Sequence, residues 1–386
     1  MIFSNIEQSK AMKKNTDLSW CMLGKRDVKY DIVTQGYILP HRVDNKKVYG
    51  NGGVVDCDGN YVEKSSFSLI MNTDAVIDWG GAYPFEPDCC QECDETVIFG
   101  GFINNNEWGH FIVDWSTRLW YALLVDKTSK IVLCTRENNI KLNSNIIKVM
   151  ELGGIDMGRL IIIEPLSKPL FCKCIVIPEE ALHRDYYSEK FFVLFRNATK
   201  AVQEMKKGTT CYEKIYLTRT KLIPQKEIGE SDIEQIFRDR GYHIISPERL
   251  SVEEQIYYMS TCSEVVSIEG SAAHNIVFSI GNIKKQIILE KTRCVNRRQI
   301  FLNQIWGVKV DYIGVYPTVD LIKENKENIY IVKVSNELIS YLDLSVKRKF
   351  YNIKFVCNII KYYRLWLGKK VVRCINKLKV VVQEKK

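Results

Sequence analysis

The sequence lacks any long, uninterrupted apolar run. No stretch reaches the roughly 18 to 20 uncharged apolar residues that a membrane-spanning helix requires, and residues 1–20 contain no apolar core of a secretory signal. These absences argue against an integral membrane protein and against a secreted one, so we expect a cytoplasmic protein. The length of 386 residues predicts two domains of ordinary size, and a hydrophobic content of 46% is typical of a folded globular chain.

The sequence also lacks the complete pattern of a metal site. It has 13 cysteines, and three of them cluster in DCCQEC as Cys89, Cys90 and Cys93. A structural zinc site requires two such pairs, or one pair with histidines, and the other close pair is Cys172 and Cys174. We therefore expect no metal. We also expect reduced thiols rather than disulfides, since no secretory signal directs the chain to an oxidising compartment.

Excess positive charge is absent outside the carboxyl-terminal end. The net charge is +9, yet residues 345–386 contain thirteen Lys or Arg and one Glu, a net charge of +12, which leaves −3 for the other 344 residues. This distribution argues against a broad nucleic-acid-binding face and indicates a local electrostatic contact. Basic residues of this tail alternate with aromatic and aliphatic ones, as in amphipathic helices on an anionic membrane surface. Packing of these helices on the amino-terminal domain is the alternative.

Strands and helices alternate along most of the chain, after about ninety residues of short strands and turns. The strands predicted in the first half are 97–102, 130–135 and 159–165, and the helices are 104–125, 143–152 and 187–206. Those predicted in the second half are strands 213–220, 242–247, 264–270 and 284–290, and helices 231–241, 251–262 and 271–280. Two capping boxes, which begin at Ser231 and Ser251, mark helix starts. The alternation predicts an α/β fold with parallel sheets.

The pattern also predicts a division into domains. An amino-terminal domain is expected at residues 1–206, with a β-rich start and an α/β core. A Rossmann-like domain is expected at residues 207–330, because its alternation is the cleaner of the two. The remaining residues, 331–386, form the predicted basic helical tail.

One turn of the second half has the composition of an anion-binding site. Gly270 permits a tight turn after a strand, and Ser271 then opens a predicted helix whose free N–H groups attract negative charge. Asn275 lies one helical turn beyond Ser271, on the same face. These residues predict a cradle for a diphosphate. The alternative is a turn of small residues that only lets a helix pack closely on a strand.

Two neighbouring strand ends supply further candidates for the same site. Arg219 and Lys221 follow the first strand of the second half and would add positive charge. Glu290 ends the strand IILE and could accept hydrogen bonds from ribose hydroxyls. In open parallel sheets, ligands bind beyond the carboxyl ends of the strands, so we expect these side chains near Gly270.

The stretch NEWGHFIVDWSTRLW places three tryptophans around a polar row. His110, Asp114 and Arg118 are four residues apart, so a single helix would carry all three on one face. Asp114 would orient the imidazole of His110, and Arg118 would hold Asp114, which makes a general base for neutral pH. Asp114 itself and Glu107 are rival bases. The alternative is a row of ion pairs on the surface of an amphipathic helix.

Two motifs, in this order and spacing, resemble glycosyltransferase family 61. The first is the helix that begins WGH and continues to Asp114 and Arg118. The second is a nucleotide-binding block that reads YLTRTK, GYHIISPERLSVEEQI, VVSIEGSAAHNIVF and IILE. The resemblance covers roughly residues 95–295. Members of this family usually carry histidine before the glycine of the donor turn, where this chain has Glu269. An acid beside a diphosphate is unexpected, so either Glu269 points away or the donor site is altered.

The resemblance implies a GT-B-like fold, in which two Rossmann-like domains face a cleft. It implies inverting transfer from a nucleotide-sugar, expected to be UDP-linked, without an obligatory metal or other cofactor. The base and the acceptor site would come from His110 and Asp114. The donor would bind to Arg219, Ser271, Asn275 and Glu290.

The family also suggests a place in the cell, since it includes enzymes of bacterial capsule clusters. We expect a glycosyltransferase of surface or capsular polysaccharide synthesis, peripheral at the inner face of the cell membrane, with a glycan or lipid-linked glycan as acceptor and no nucleic acid partner. One alternative is a catalytically inactive member that binds glycan or partner enzymes at the membrane. Another is a pyruvyl transferase on a similar two-domain fold.

Overall fold

The computed structural model describes six segments of the chain, 23–44, 47–70, 77–293, 296–317, 329–344 and 351–364. A six-stranded mixed sheet organises the first half, and a five-stranded parallel sheet organises the second. The predicted α/β class is confirmed in this mixed form. The residue boundaries of the predicted domains, and their arrangement about a cleft, stay predictions.

The large sheet of the first half has the strand order β3-β2-β9-β6-β7-β8. The strands are β1 (Gly24–Lys25), β2 (Tyr30–Asp44), β3 (Lys47–Val55), β4 (Phe67–Leu69), β5 (Ile77–Trp79), β6 (Gln91–Ile103), β7 (Lys130–Thr135), β8 (Leu160–Ile163), β9 (Leu170–Pro178) and β10 (Tyr186–Tyr187). β2 is antiparallel to β3 and β9, whereas β6 is parallel to β9 and β7, and β7 to β8. β1 pairs with β10, and β4 with β5.

The prediction of only short strands in the first ninety residues was wrong, because β2 is 15 residues long. The strand contains Gly36 and Pro40, which usually end a regular strand. Pro40 lies where the register with β3 shifts, between Leu39 and Arg42. A β-bulge absorbs a residue that cannot donate to the ladder, so the strand continues past it.

The predicted helix 104–125 is interrupted in the structure. The helices of the first half are α1 (Trp108–Val113), α2 (Trp120–Leu124), α3 (Ser144–Leu152) and α4 (Val193–Met205), with 3₁₀ turns at Glu63–Ser65, Pro87–Cys89, Trp115–Arg118, Met157–Arg159 and Glu189–Phe192. Between α1 and α2, the Thr117 hydroxyl donates to the Asp114 carbonyl, and the Thr117 carbonyl accepts from the amide of Ala181. Both contacts occupy carbonyls that a continuous helix would use.

The parallel sheet of the second half has the strand order β13-β11-β14-β15-β16. Its strands and the flanking pair β12–β17 are β11 (Lys214–Leu217), β12 (Glu227–Ile228), β13 (His243–Ile245), β14 (Glu264–Ile268), β15 (Lys285–Glu290), β16 (Lys309–Gly314) and β17 (Tyr330–Ile331). The helices are α5 (Glu230–Asp239), α6 (Val252–Thr261), α7 (Arg297–Trp306), α8 (Asn336–Tyr341) and α9 (351–364), with 3₁₀ turns at Pro247–Arg249 and Ala273–Phe278. The alternation predicted for residues 213–290 is confirmed, except that a 3₁₀ helix replaces the α-helix predicted at 271–280.

Only one of the two predicted capping boxes forms. The Ser251 hydroxyl accepts from the amide of Glu254, and the Glu254 carboxylate accepts from the amide of Ser251. Ser231 instead lies inside α5, whose first residue follows Gly229. Gly229 has φ +99°, and a side chain there would come within 2.2 Å of the Val332 carbonyl oxygen. The chain just after β17 therefore passes too close to residue 229 for any side chain there.

Helices of the two halves pack directly on one another. One hydrophobic cluster contains buried residues from both, including Phe111, Phe195 and Phe278. The ring centroids of Phe195 and Phe278 are 5.7 Å apart, and those of Trp108 and Phe278 are 6.1 Å apart. Burying a phenylalanine side chain contributes about 1.5–3 kcal/mol. This shared core holds α1, with His110 on it, against the second half of the chain.

Of the predicted basic tail, residues 331–386, the structure describes 331–344 and 351–364, and α9 lies within the second of these segments. α9 contacts the second half through ion pairing of Lys354 with Asp232 in α5. In the part of the chain that the structure describes, no helix is long and apolar enough to cross a membrane.

The two serines provide a matched test of helix capping. Ser251→Ala should lower the free energy of unfolding by about 1 kcal/mol, because the amide of Glu254 loses its acceptor. Ser231→Ala should change it by less, since this exposed serine lies within α5 and alanine favours helix. Urea unfolding of both variants measures the difference. A larger loss in Ser231→Ala would contradict the assigned start of α5.

Candidate functional site

His110 and Asp114 form a hydrogen-bonded pair on α1 and at the residue after it. Nδ1 of His110 lies 2.5 Å from Oδ2 of Asp114. Because a carboxylate only accepts, the shared proton belongs to Nδ1, and Nε2 of His110 keeps its lone pair. The Asp114 side chain has 0% exposure, whereas His110 has 31%. His110 is therefore the member of the pair that a substrate can reach.

Three side chains surround the buried carboxylate of Asp114. Besides His110, Asn104 Nδ2 donates to Oδ2 at 2.9 Å, and Arg298 Nε lies 3.4 Å from Oδ1. Burial alone would raise the pKa of Asp114, but the hydrogen bond from His110 and the charge of Arg298 outweigh it and hold the pKa below its ordinary value. Asp114 is therefore ionised at neutral pH and can stabilise a positive charge on His110.

The predicted contact between Arg118 and Asp114 was wrong. Arg118 is buried, and its guanidinium donates to the carbonyls of Pro178 and Ser66, the latter at 2.6 Å. The interruption after α1 turns Arg118 away from the row that a continuous helix would form. Arg298, from α7, occupies the place beside Asp114 instead.

Glu107, the predicted rival base, lies exposed at the residue before α1. Within the described segments, no hydrogen bond joins it to His110 or Asp114. Asn104, before α1, donates instead to Asp114. The role of Glu107 as a base stays a prediction.

Two cations converge on the turn at Gly270, which has φ +147°. A Cβ added there would lie 3.6 Å from Arg219 Nη1 and 3.9 Å from Lys291 Nζ. Both cations share one buried counter-ion, since Arg219 Nε and Lys291 Nζ each lie 3.0 Å from a carboxylate oxygen of Glu227. Arg219 and Lys291 thus bring two positive charges to the turn, which Glu227 offsets in part and which can attract an anion. Sequence reasoning included Arg219 and Gly270 but missed Lys291 and Glu227.

Glu269 places a second carboxyl beside this turn. Burial raises its pKa to about 7, although the charge of Lys291 acts in the opposite direction. Its buried Oε2 has no hydrogen-bond partner within the described residues. At or below neutral pH, much of Glu269 is therefore a neutral acid that can donate a hydrogen bond. The predicted repulsion of a diphosphate is weaker than the residue type alone suggests.

Ser271 and Asn275 occupy a six-residue 3₁₀ helix, Ala273–Phe278, and the turn before it. The α-helix predicted here was wrong, so the dipole expected for an α-helix start does not apply. The Asn275 side chain is buried and accepts a hydrogen bond of 2.7 Å from Trp108 Nε1. This bond uses the amide oxygen of Asn275 to join the two halves of the chain, which is a packing role. The role of Ser271 and Asn275 in donor binding stays a prediction.

Lys221 and Glu290 differ in their surroundings. Lys221 is exposed, two residues beyond Arg219. Glu290 is buried at the end of β15, and its charge contributes to a raised pKa of Tyr316, after the larger effect of burial. Glu290 thus lies at the predicted sheet edge, next to Lys291.

His274 begins a chain of hydrogen-bonded side chains that runs from the site into the interior of the protein. Its Nδ1 lies 2.7 Å from Gln299 Oε1, Gln299 Nε2 donates to Asn303 Oδ1, and Asn303 Nδ2 donates to the Tyr312 hydroxyl, the last two bonds being 2.9 Å long. The acceptor Gln299 Oε1 requires a proton on Nδ1. Burial lowers the pKa of His274 to about 4, so the ring is neutral. A neutral histidine in this position has a packing role rather than a role in proton transfer.

The hydrogen-bonded pair His110–Asp114 and the turn at Gly270 are adjacent. A Cβ added at Gly109 would lie 2.8 Å from Ser271 Oγ and 3.3 Å from His274 Cδ2. Glycine therefore lets the backbone of α1 approach the turn, and His110 follows it directly. The structure thus brings His110, Asp114, Gly270 and Ser271 into one region, as predicted from separate motifs.

The comparison with known families agrees with this geometry. Residues 108–288 match the family model described as Glycosyltransferase 61. The match begins beside His110 and ends within β15, so it contains both the pair His110–Asp114 and the turn at Gly270. A domain of this family implies a glycosyltransferase. No curated protein matches the chain.

Metal ligation has no candidate cluster in the described segments. No three His, Cys, Asp or Glu side chains there are grouped so that they could hold a metal ion. Described cysteines, including Cys89, Cys90 and Cys93, are free thiols. Independence from metal stays a prediction.

The raised pKa of Glu269 predicts a pH-dependent stability. The unfolded carboxyl has a pKa near 4.5, and the folded one about 7. The associated stability is complete below pH 4.5 and is lost as pH rises through 7. Glu269→Gln removes this loss, so relative to wild type it should gain about 1–3 kcal/mol between pH 5 and pH 8. Urea unfolding at both pH values measures the gain. Glu107→Gln, at an exposed carboxyl, is the control, and an equal gain there would contradict the assignment.

Proposed function

We propose that this protein is an inverting glycosyltransferase that moves a sugar from a nucleotide-sugar to a glycan acceptor. The observation that carries this proposal is the contact between α1 and the turn at Gly270. Gly109, the residue before His110, packs against Ser271 in that turn, and Arg219 and Lys291 lie near Gly270. The match of residues 108–288 to a glycosyltransferase family supports the same reaction.

His110 is the base in this proposal, and Asp114 positions it. An acceptor hydroxyl must lose its proton as its oxygen attacks the anomeric carbon, and Nε2 of His110 has the free lone pair that takes this proton. The imidazolium that forms is stabilised by the ionised Asp114 at Nδ1. Asp114 has no solvent-accessible surface of its own, so it is less suited to contact the acceptor.

The cations at the turn stabilise the leaving group. As the bond to the sugar breaks, negative charge grows on the diphosphate, and fixed positive charges near it lower the barrier. Arg219 and Lys291 supply two such charges, held in place by Glu227. Charge stabilisation by these side chains is the basis on which we propose metal-independent transfer. Attack from the side opposite the diphosphate gives inversion.

The finer assignments are also proposals. We take the donor as UDP-linked, the two sheets as the two halves of a GT-B arrangement, and the acceptor as a lipid-linked glycan of surface or capsular polysaccharide, used at the inner face of the cell membrane. The resemblance of the sequence motifs supports the first two. The net charge of +12 in residues 345–386 supports the membrane setting.

An inactive, glycan-binding protein is the second candidate. Glu269 favoured it at the level of sequence, because an ionised acid repels a diphosphate. The raised pKa of this carboxyl weakens that argument near neutral pH. Nucleotide binding, and a turnover that depends on His110, distinguish the two candidates.

Removal of the base should abolish most of the turnover. His110→Gln and Asp114→Asn should each lower kcat by about 10²–10⁴-fold, which is the range of general-base contributions, without loss of nucleotide binding. Transfer from a radiolabelled nucleotide-sugar measures kcat, and the melting temperature checks folding. Glu107→Gln should retain most of the activity. If Glu107→Gln is inactive while His110→Gln is active, the assigned base is wrong.

A nucleotide should raise the melting temperature of the purified protein. A ligand that binds only the folded state stabilises it by about 2.7 kcal/mol at a concentration of 100 times Kd. The screen uses UDP, GDP, CMP and TDP, each with and without Mg²⁺, and phosphoenolpyruvate for the pyruvyl transferase alternative. We expect a shift with UDP that does not depend on Mg²⁺. No shift with any nucleotide would contradict the transferase proposal.

The same screen tests the cations at the turn. Lys291→Gln should lose most of the shift, because one of two charges near Gly270 disappears while Glu227 keeps its bond to Arg219. Lys221→Gln is the matched control, since this lysine is exposed. A loss of the shift in Lys221→Gln alone would contradict the assigned site.

A further inference from the structure

α9 is attached to the protein by one face. Lys354 Nζ and Asn358 Nδ2 donate to the two carboxylate oxygens of Asp232, at 2.7 and 3.0 Å. Tyr351 and Tyr362 are buried, at 8% and 1% exposure. These contacts determine the rotation of the helix about its axis, and they leave the opposite face turned away from the protein.

The opposite face of α9 is apolar. Ile353, Val356 and Ile360 are exposed to 68%, 57% and 55%. Their spacing of three to four residues places them on one side of the helix, and we call these three residues the outer row. A surface helix ordinarily turns its polar side to water, and a contiguous apolar patch marks an interaction site. The outer row therefore requires a partner with an apolar surface.

The charge around the outer row indicates the chemistry of that partner. Residues 345–386, to which α9 belongs, contain thirteen Lys or Arg and one Glu. Arg364 is exposed at the end of α9, next to Tyr363. A second copy of this chain would bring two such segments together, and like charges repel. An anionic lipid surface offers both the negative charge and the apolar layer beneath it.

We propose that the outer row of α9 inserts into the interface of an anionic membrane leaflet and holds the protein on it. The ion pairing with Asp232 keeps the inner face of α9 on the protein, so the helix lies along the surface. Arg364, exposed on α9, contacts lipid phosphates beside the outer row. This proposal depends on α9 alone and not on the proposed transferase activity, so either can fail without the other.

Flotation of the full-length protein with lipid vesicles tests the proposal. Wild-type protein should bind vesicles of phosphatidylcholine with about 30 mol% phosphatidylglycerol at ~0.1 M NaCl, and less at ~1 M NaCl because salt screens the attraction. Ile353→Ser with Ile360→Ser should weaken binding to these vesicles about tenfold or more, since two apolar side chains lose their place in the bilayer. Unchanged melting temperature shows that the double variant is folded.

A matched double variant controls for loss of any exposed apolar side chain. Leu166 and Ile223 are exposed to 86% and 91% and lie outside α9, so Leu166→Ser with Ile223→Ser should bind vesicles as wild type does. The proposal is overturned if wild type does not bind anionic vesicles, if the α9 variant binds as wild type, or if the control loses as much. It is also overturned if wild type is a dimer that the α9 variant dissociates, as sedimentation would show.

Cys357 reports whether the outer row is free in water. It is exposed on α9, next to Val356. A thiol reagent should label it in buffer, and anionic vesicles should slow this labelling, as peptide mass spectrometry would show. Absence of labelling in buffer would mean that other residues of the chain cover this face, and that result would overturn the proposal.

Discussion

The Asp114 carboxylate is buried where water does not reach it, and an isolated charge in such a place is costly. Its donors come from three separate parts of the chain: His110 from α1, Asn104 from the end of β6, and Arg298 from α7. The orientation of the histidine, the approach of α1 to α7, and the contact between the two halves all depend on keeping this charge satisfied. The same interaction therefore stabilises the fold and prepares His110 as a base.

At the turn at Gly270, buried charges are also held in place by partners of opposite charge, but here the charges next to the proposed ligand are positive. Arg219 and Lys291 are held near each other by Glu227, a buried acid that reaches both from β12. Without that counter-ion the two cations would repel each other, and with it both can lie at the turn, where an anion would bind. Glu269 adjusts this balance with pH, because its burial favours the neutral form. A residue that looked unsuitable for a donor site is thus compatible with one.

The site exists because helices of the two halves touch. Trp108 donates to Asn275 across this contact, and Gly109 lets the backbone of α1 approach Ser271. Trp108 is therefore part of the packing between the halves. Trp115 is almost fully buried, and its ring packs on that of Phe111 with centroids 4.8 Å apart. A stretch that is both apolar and charged fits a helix whose one side packs in a core and whose other side carries the chemistry.

Local features of this protein were determined by the sequence itself. β7 (Lys130–Thr135), the capping box at Ser251 and the pair His110–Asp114 depend on residues within a few positions of one another, whose geometry follows from regular backbone. Other features were decided only by the tertiary structure. Arg298 lies 184 residues from Asp114 along the chain, and the interrupted stretch between α1 and α2 bonds to Ala181, far from it in sequence. No local pattern encodes such contacts, because they depend on which distant groups the folded chain brings to a buried charge or an open carbonyl.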